Sequence, residues 1–254
     1  MKTGQNRQGT QNKPTLYGFH AVREAWLNPE RTVINLYVTD QSRKGFEATL
    51  QEAKNKGLRR PAPTIIDKNQ IDRMLPRDAV HQGLALAANP LPETGVDDFV
   101  ISAGNRARTV LIMLDQVTDP HNVGAILRSA CAFGASGMVL QRMHAPALEG
   151  VLAKTACGAV EHVPVAYETN LSRAIETLKD GGFFVIGLDE HDKNSIGKIN
   201  FPEKTLLVLG SEGEGIRRLV KENCDVVACL PTHGPIHSLN VSNAAAVALF
   251  AATK

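Results

Sequence analysis

The spacing of apolar residues changes period along the chain. In residues 16–88 they recur at helical intervals over Ala21 to Trp26, Ser42 to Lys56 and Lys68 to Leu75. Val33 to Val38, the residues near Thr64 to Ile66, and Gly83 to Ala88 are short apolar runs that read as strands. Elements of both kinds in alternation predict a compact α/β/α unit over residues 14–88. Asn89 to Arg108 then gathers Pro90, Pro92, Gly95 and Gly104 around a weak helical pattern, which predicts a linker over 89–107. Beyond it strands are expected at Val110 to Leu114, Met138 to Leu140, His162 to Val165, Phe183 to Leu188, Leu206 to Leu209 and Val226 to Leu230. Helical segments separate them, as the crossovers of a parallel sheet require, so residues 108–254 are expected to form a second α/β domain. Residues 1–13 are rich in Gln, Asn and Gly and carry three cations and no anion, the composition of a disordered basic tail.

Composition sharpens this outline. Aromatic residues make up only 5% of the chain, so the core must be aliphatic, which suits a sheet covered by helices on both faces. The four cysteines, Cys131, Cys157, Cys224 and Cys229, form no CxxC pair and sit in apolar segments, which predicts reduced thiols in a reducing compartment. No apolar run approaches the roughly 18 residues of a membrane span, and no apolar leader follows Met1; a cytoplasmic protein without membrane contact is expected. The net charge of +2 is unevenly placed. Residues 1–88 hold 14 Lys and Arg against 8 Asp and Glu, whereas residues 89–254 hold 14 against 18. A basic first third fits a polyanion such as RNA, with Arg7, Lys13, Arg23, Arg43, Lys44, Lys54, Lys56, Arg59 and Arg60 as candidate phosphate contacts.

Three segments of the second domain carry candidate chemistry. In Leu114 to Gly134, Asp119 is placed to cap a helix, Pro120 suits its first position and Gly134 its end. Val123, Ile126, Leu127 and Ala130 form its apolar stripe, and Arg128 points roughly 140° away from Val123. Asn122 lies in the first turn, at the carboxyl end of a strand, where open α/β sheets place their sites. The second segment, Leu206 to Ile216, runs a buried strand into a loop with three glycines and the carboxylates Glu212 and Glu214. Its GxxGxG spacing is neither a dinucleotide fingerprint nor a phosphate loop, and its charges favour a cationic ligand. The third, Leu230 to Phe250, crowds Ser238, Asn240, Ser242 and Asn243 at the start of an Ala-rich helix that is apolar on nearly every face. His233 and His237 are four apart, but Gly234 and Pro235 break helical geometry between them, and no metal site is expected.

Taken together, D-P-x-N-x-G-x-x-x-R (Asp119 to Arg128), L-G-S-E-G-x-G (Leu209 to Gly215) and L-P followed by S-L-N-V-S (Leu230 to Ser242) resemble, in order and spacing, the three motifs of the SpoU/TrmH family of RNA 2′-O-ribose methyltransferases. Leu16 to Ala25 is similar to the opening of the ribosomal-L30-like substrate-binding domain of its two-domain members. The resemblance implies a C-terminal domain of the SPOUT class with a trefoil knot, S-adenosyl-L-methionine as cofactor, and a homodimer formed through that domain. It implies a cofactor pocket lined by Gly210, Leu230 and Leu239, with Gly187 and Leu188 nearby, and a polar catalytic set of Asn122, Arg128, Glu212, Ser238 and Asn240. A guanidinium with pKa above about 12 is a poor proton acceptor near neutrality, so Arg128 is expected to grip a phosphate and fix the ribose. The implied substrate is structured RNA, with a guanosine of large-subunit (23S) ribosomal RNA favoured over transfer RNA. The competing readings are a dinucleotide-binding protein, disfavoured because no glycine-rich turn follows the first strand, and a silent RNA-binding protein of ribosome assembly, which has no need of the polar set.

Overall fold

The computed structural model describes residues 13–235 and 238–254, in two compact units. The expected tail up to residue 12, with Arg7, lies outside the described residues, as does His237.

The first unit comprises residues up to Pro92 together with Ala147–Glu161. Its sheet has the order β1 (Leu16–Tyr17), β4 (Leu84–Ala88), β2 (Val33–Val38), β3 (Thr64–Ile65), with β2 and β3 parallel and the other pairs antiparallel. The helices are α1 (Phe19–Leu27), α2 (Asp40–Asn55) and α3 (Lys68–Met74), and each start has an identifiable cause, local for α2 and α3 and distant for α1. The Gln82 side-chain carbonyl accepts from the Phe19 N–H at α1 (3.0 Å), Thr39 caps α2, and Asp67 with Gln70 forms a capping box on α3. Trp26 of α1 and Phe46 of α2 meet edge to face at 6.5 Å and seal one side of the sheet.

The segment 147–161 was expected to belong with the second domain, yet it completes the first unit. Its helix α6 (Gly150–Thr155) buries Leu152 and Ala153, and its 3₁₀ turn (Ala159–Glu161) buries Ala159 and Val160. Glu161 is the reason it stays there: its carboxylate receives Arg31 Nε (3.1 Å) and Nη2 (2.5 Å) and Asn28 Nδ2 (2.8 Å), with the Arg31 and Glu161 side chains only 5% and 2% exposed. Arg60 is bound by three backbone carbonyls, of Trp26, Asn28 and Arg31, at 2.6–3.0 Å. Arg23 pairs with Glu24 and Glu52, and Lys56 with Glu52. Arg23, Lys56 and Arg60, read from the sequence as phosphate contacts, thus have partners within the unit, and of these Arg60 is held by backbone alone, because a guanidinium with five donors closes loops as readily as it grips phosphate.

The second unit comprises Glu93–Pro146 and His162–Lys254. Its six strands are all parallel, in the order β10 (Val226–Ala228), β8 (Phe184–Leu188), β9 (Lys204–Gly210), β5 (Thr109–Asp115), β6 (Gly137–Gln141), β7 (Val165–Glu168). Every residue of β5 is buried, as a central strand covered on both faces must be. Around the sheet run α4 (Val96–Ala103), α5 (Pro120–Ala132), α7 (Leu171–Asp180), α8 (Arg218–Glu222) and α9 (Val241–Ala252). Helix α7 is fixed by its stripe Leu171, Ala174, Ile175 and Leu178 and by the Asn170 cap. Helix α4 falls within the stretch expected to be a linker: Val96, Phe99 and Ala103 join the core, and Phe99 packs where a side chain at Gly137 would stand. The apolar face was too short to show through its Pro and Gly neighbours. Strand β7 starts at the last residue of the run expected to form it, since Pro164, which cannot donate a ladder hydrogen bond, precedes Val165. No helix among the described residues is long and apolar enough to cross a membrane.

Candidate active site

Three loops meet at the carboxyl edge of the parallel sheet. Strand β5 ends in Asp115, which register places beside Gly210, the last residue of β9. Asp115 is fully buried, and a buried carboxylate needs partners. It accepts from the Arg217 backbone N–H (2.9 Å), Arg217 Nε (2.8 Å) and Arg217 Nη2 (2.7 Å). These bonds pull the chain after β9 back onto the sheet. The returning loop closes a Ser211–Gly215 bridge, and Gly213 and Gly215 hold φ of 86° and 67°. A Cβ on Gly210 would stand 1.9 Å from the Gly215 carbonyl carbon and 2.2 Å from the Ile216 nitrogen. Gly210 is thus required by the loop's own fold, before any ligand is considered.

Asn122 and Glu212 converge on one side chain, that of Asn240. Asp119 accepts from the His121 and Asn122 N–H groups (3.3 and 3.2 Å) and starts α5, which sets Asn122 in the first turn. Asn240 starts α9, its Oδ1 accepting from the Ser242 N–H at 2.9 Å. Its Nδ2 donates to Asn122 Oδ1 (3.0 Å) and to Glu212 Oε1 (2.6 Å). One amide therefore joins all three sequence segments, each part of it engaged in the sense its chemistry allows.

Beside this junction lies a cavity of about 490 Å³, lined in part by Leu188, Leu209, Gly210, Leu230, Leu239 and Ala244 and by the polar Glu212, Ser238 and Asn240. Of the residues expected at a cofactor pocket, Leu188, Gly210, Leu230 and Leu239 line it. Gly187 does not: it is buried within β8, where a Cβ would come 3.0 Å from Cys224 Sγ and 3.2 Å from Ile216 Cδ1. Burial first, then the neighbouring Asp225, pushes the Cys224 thiol up to about 12, so it acts as packing and stays neutral. Asn122 does not line the cavity and reaches the cluster through Asn240. Arg128, two turns along α5, is exposed, and among the described residues no hydrogen bond or ion pair holds it.

Asp115, Arg217 and Asp189 were missed by sequence reasoning. An aspartate that closes the apolar run Val110 to Leu114 was a usable signal, since a charge entering a buried strand needs a partner. Asp189 lines the cavity with Glu190, Glu212 and Glu214. Burial alone would raise its pKa, but the Lys221 ammonium (2.5 Å) and the His191 N–H (2.9 Å) outweigh it and hold the carboxyl below the usual range.

Residues 109–250 match the SpoU rRNA Methylase family, and residues 15–94 match the RNA 2′-O ribose methyltransferase substrate binding family. An uncharacterized tRNA/rRNA methyltransferase of Synechocystis is 38% identical over 240 residues, covering 92% of this chain; the chain spans only 61% of that relative's length. A 23S rRNA (guanosine-2′-O-)-methyltransferase of Neisseria meningitidis, RlmB, is 32% identical over 94% of both chains. The AdoMet complex of the SpoU methyltransferase AviRb from Streptomyces viridochromogenes shares the fold, with a TM-score of 0.76 at 21% identity over 98% of this chain and 93% of that one.

Proposed function

The chain belongs to the SpoU rRNA methylase family, and from that membership we propose that it methylates a ribose 2′-hydroxyl in structured RNA with S-adenosyl-L-methionine, the favoured target being a guanosine of 23S ribosomal RNA. The observation that carries this reading is the Asn240 amide joining Asn122 and Glu212 beside the cavity. The guanosine rests on the name of the Neisseria relative; the relatives named for tRNA/rRNA keep a transfer RNA as the alternative.

The cavity fits the cofactor in size, since sites for such ligands measure about 300–1,000 Å³. Leu188, Leu209, Leu230 and Leu239 offer apolar cover for a base, and Asp189, Glu190, Glu212 and Glu214 offer negative charge toward a sulfonium and an amino group. When bound, the cofactor supplies an electrophilic methyl group. The chain's own residues must position and deprotonate the attacking hydroxyl. Asn122, Glu212 and Asn240 hold one another rigid, and Ser238 shapes the loop between cofactor and ribose. Arg128, exposed and without a partner among the described residues, grips the adjoining phosphate with two donors and fixes the ribose, while the proton passes to that phosphate or to water.

Residues 14–88 supply RNA affinity in this scheme, residues 108–254 the chemistry, and a reducing cytoplasm is the setting. Support for a homodimer through the second unit comes from Val247 and Phe250 on α9, 47% and 49% exposed, with Phe250 against Phe133 at 5.8 Å. The trefoil knot is carried over from the family. Total RNA from cells lacking the protein, incubated with the purified protein and labelled S-adenosyl-L-methionine and mapped for 2′-O-methyl groups, tests the central reading. One methylated guanosine in large-subunit RNA is expected; label confined to transfer RNA selects the alternative, and no label on either defeats the proposal.

A further inference from the structure

Two residues of the second unit hold a backbone conformation that side chains rarely adopt. Gln116 has φ of 60° and His144 φ of 65°, and among the described residues of this unit no other residue except glycine is in that region. Both are exposed, and no hydrogen bond among the described residues accounts for either side chain. Glycine would sit at both places without strain, so the side chains are kept against a backbone preference.

The sheet puts the two residues in one place. Gln116 directly follows Asp115, which pairs with Gly210; in the strand order β9–β5–β6 it therefore leaves the carboxyl edge of the sheet between the loop that follows Gly210 and the loop that follows Gln141. Adjacent strands lie about 4.8 Å apart, so Gln116 stands between the loop that carries Glu212 and the loop that carries His144. The second loop has a fixed root: Arg142 donates to Glu93 (3.2 Å) and to the Tyr167 carbonyl (3.0 Å) and lies 5.8 Å from the Tyr167 ring centre. Beyond that root, Met143 presents an apolar side chain that is 65% exposed.

We propose that Gln116, Met143 and His144 form the wall that receives the base of the nucleotide to be methylated. This rests on the methyltransferase reading above and adds a recognition surface to it. The base hangs from C1′, which is bonded to C2′, so a ribose held at the Asn122–Asn240 junction must bring its base within a few ångströms of the flanking loops. A Gln amide offers a donor and an acceptor to a base edge, while a Met side chain and an imidazole face offer a stacking surface; single-stranded RNA is read by such pairs. None of the three lines the cofactor cavity, so nucleotide selection and cofactor affinity are separable.

The test compares the wild-type protein with Gln116→Gly, His144→Gly and Met143→Ala. Glycine suits the φ at the first two positions, so those variants fold at least as well and any lost activity is a loss of recognition. First the wild-type site is mapped on ribosomal RNA; then RNA fragments carrying that site, with each of the four bases at the target, are methylated by every variant. Gln116→Gly and His144→Gly are expected to lower kcat/KM on the native fragment about tenfold and to narrow the preference among the four bases, with S-adenosyl-L-methionine affinity unchanged by calorimetry. Unchanged kcat/KM and unchanged base preference in both variants overturn the inference while leaving the methyltransferase reading standing. A wild-type protein that methylates no RNA overturns that reading, and the inference with it.

Discussion

One arginine of the second unit and two of the first meet opposite fates. In the first, Arg31 and Arg60 are closed in by Glu161 and by three carbonyls, and their charge holds the fold together. In the second, Arg128 stands on the surface of α5 with no partner among the described residues, although the apolar face of its helix is fully engaged. Net charge points the other way: the first third of the chain is basic and the remainder acidic. Charge summed over a segment therefore says little about which cations reach a ligand. What decides is whether a local acceptor has already captured the guanidinium.

Breaking the captured pair should have the largest effect. Arg31→Ala leaves Glu161 buried without its cation, a change that costs roughly 3–5 kcal/mol, and chemical denaturation should show the first unit lost. The same tie bears on truncation. The division read from the sequence makes residues 108–254 a domain of their own, but that fragment keeps Glu161, Leu152 and Val160 without the residues that bury them. It should melt well below the full chain. Equal melting temperatures for Arg31→Ala and wild type would show that the pair contributes nothing net.

Freeing nothing and removing only chemistry should follow next in size. Arg128→Ala is expected to lower methyl transfer about a hundredfold or more, with folding and cofactor affinity unchanged, because the side chain is exposed and has no hydrogen bond or ion pair among the described residues. Arg128→Lys should recover little, since one ammonium cannot reproduce a two-donor grip. A lysine variant with most of the wild-type rate would refute the positioning role. Gly210→Ala, in contrast, forces the 211–216 loop off β9 and should weaken cofactor binding by about tenfold or more in calorimetry. Wild-type affinity in that variant would mean that the loop tolerates the shift.

How much of this could be read without coordinates depends on the range of the interaction. The strands of the second unit were legible because each is a short apolar run, and the start of α5 because Asp119 and Pro120 act on their own helix. The cluster residues Asn122, Glu212 and Asn240 were legible only as members of recognised motifs; that a single Asn240 amide connects the other two depends on a fold that brings positions 118 and 28 residues apart together. Asp115 with Arg217, 102 residues apart, showed only as a charge at the end of a buried strand, and Arg31 with Glu161, 130 apart, left no local trace. Gly210 was read as a residue lining the pocket, and it does line the cavity, but its lack of a side chain is also demanded by the backbone of Gly215. Long-range closure is what a linear pattern omits.

The smallest effect lies with the cations that remain exposed on the first unit. Arg43, Lys44, Lys54 and Arg59 are exposed and have no ion-pair partner among the described residues, while Arg60, adjacent to Arg59 in sequence, is tied to three carbonyls. If RNA affinity comes from this unit, each exposed cation that touches a phosphate releases a counterion, and its removal should flatten the plot of log affinity against log salt by about 0.7–0.9. Arg59→Gln and Lys44→Gln should therefore cost a few-fold in RNA affinity at low salt, lose that difference at high salt, and leave the melting temperature alone. Arg60→Gln should do the reverse, lowering the melting temperature by removing bonds to three carbonyls while leaving the salt slope of the folded protein where it was. The contrast between neighbours is the measurement that matters, because both substitutions remove one positive charge from the same segment and a purely segmental charge effect would move both slopes equally. Equal slopes for Arg59→Gln and Arg60→Gln would show that the field of the whole unit, and not individual contact, governs its attraction for RNA.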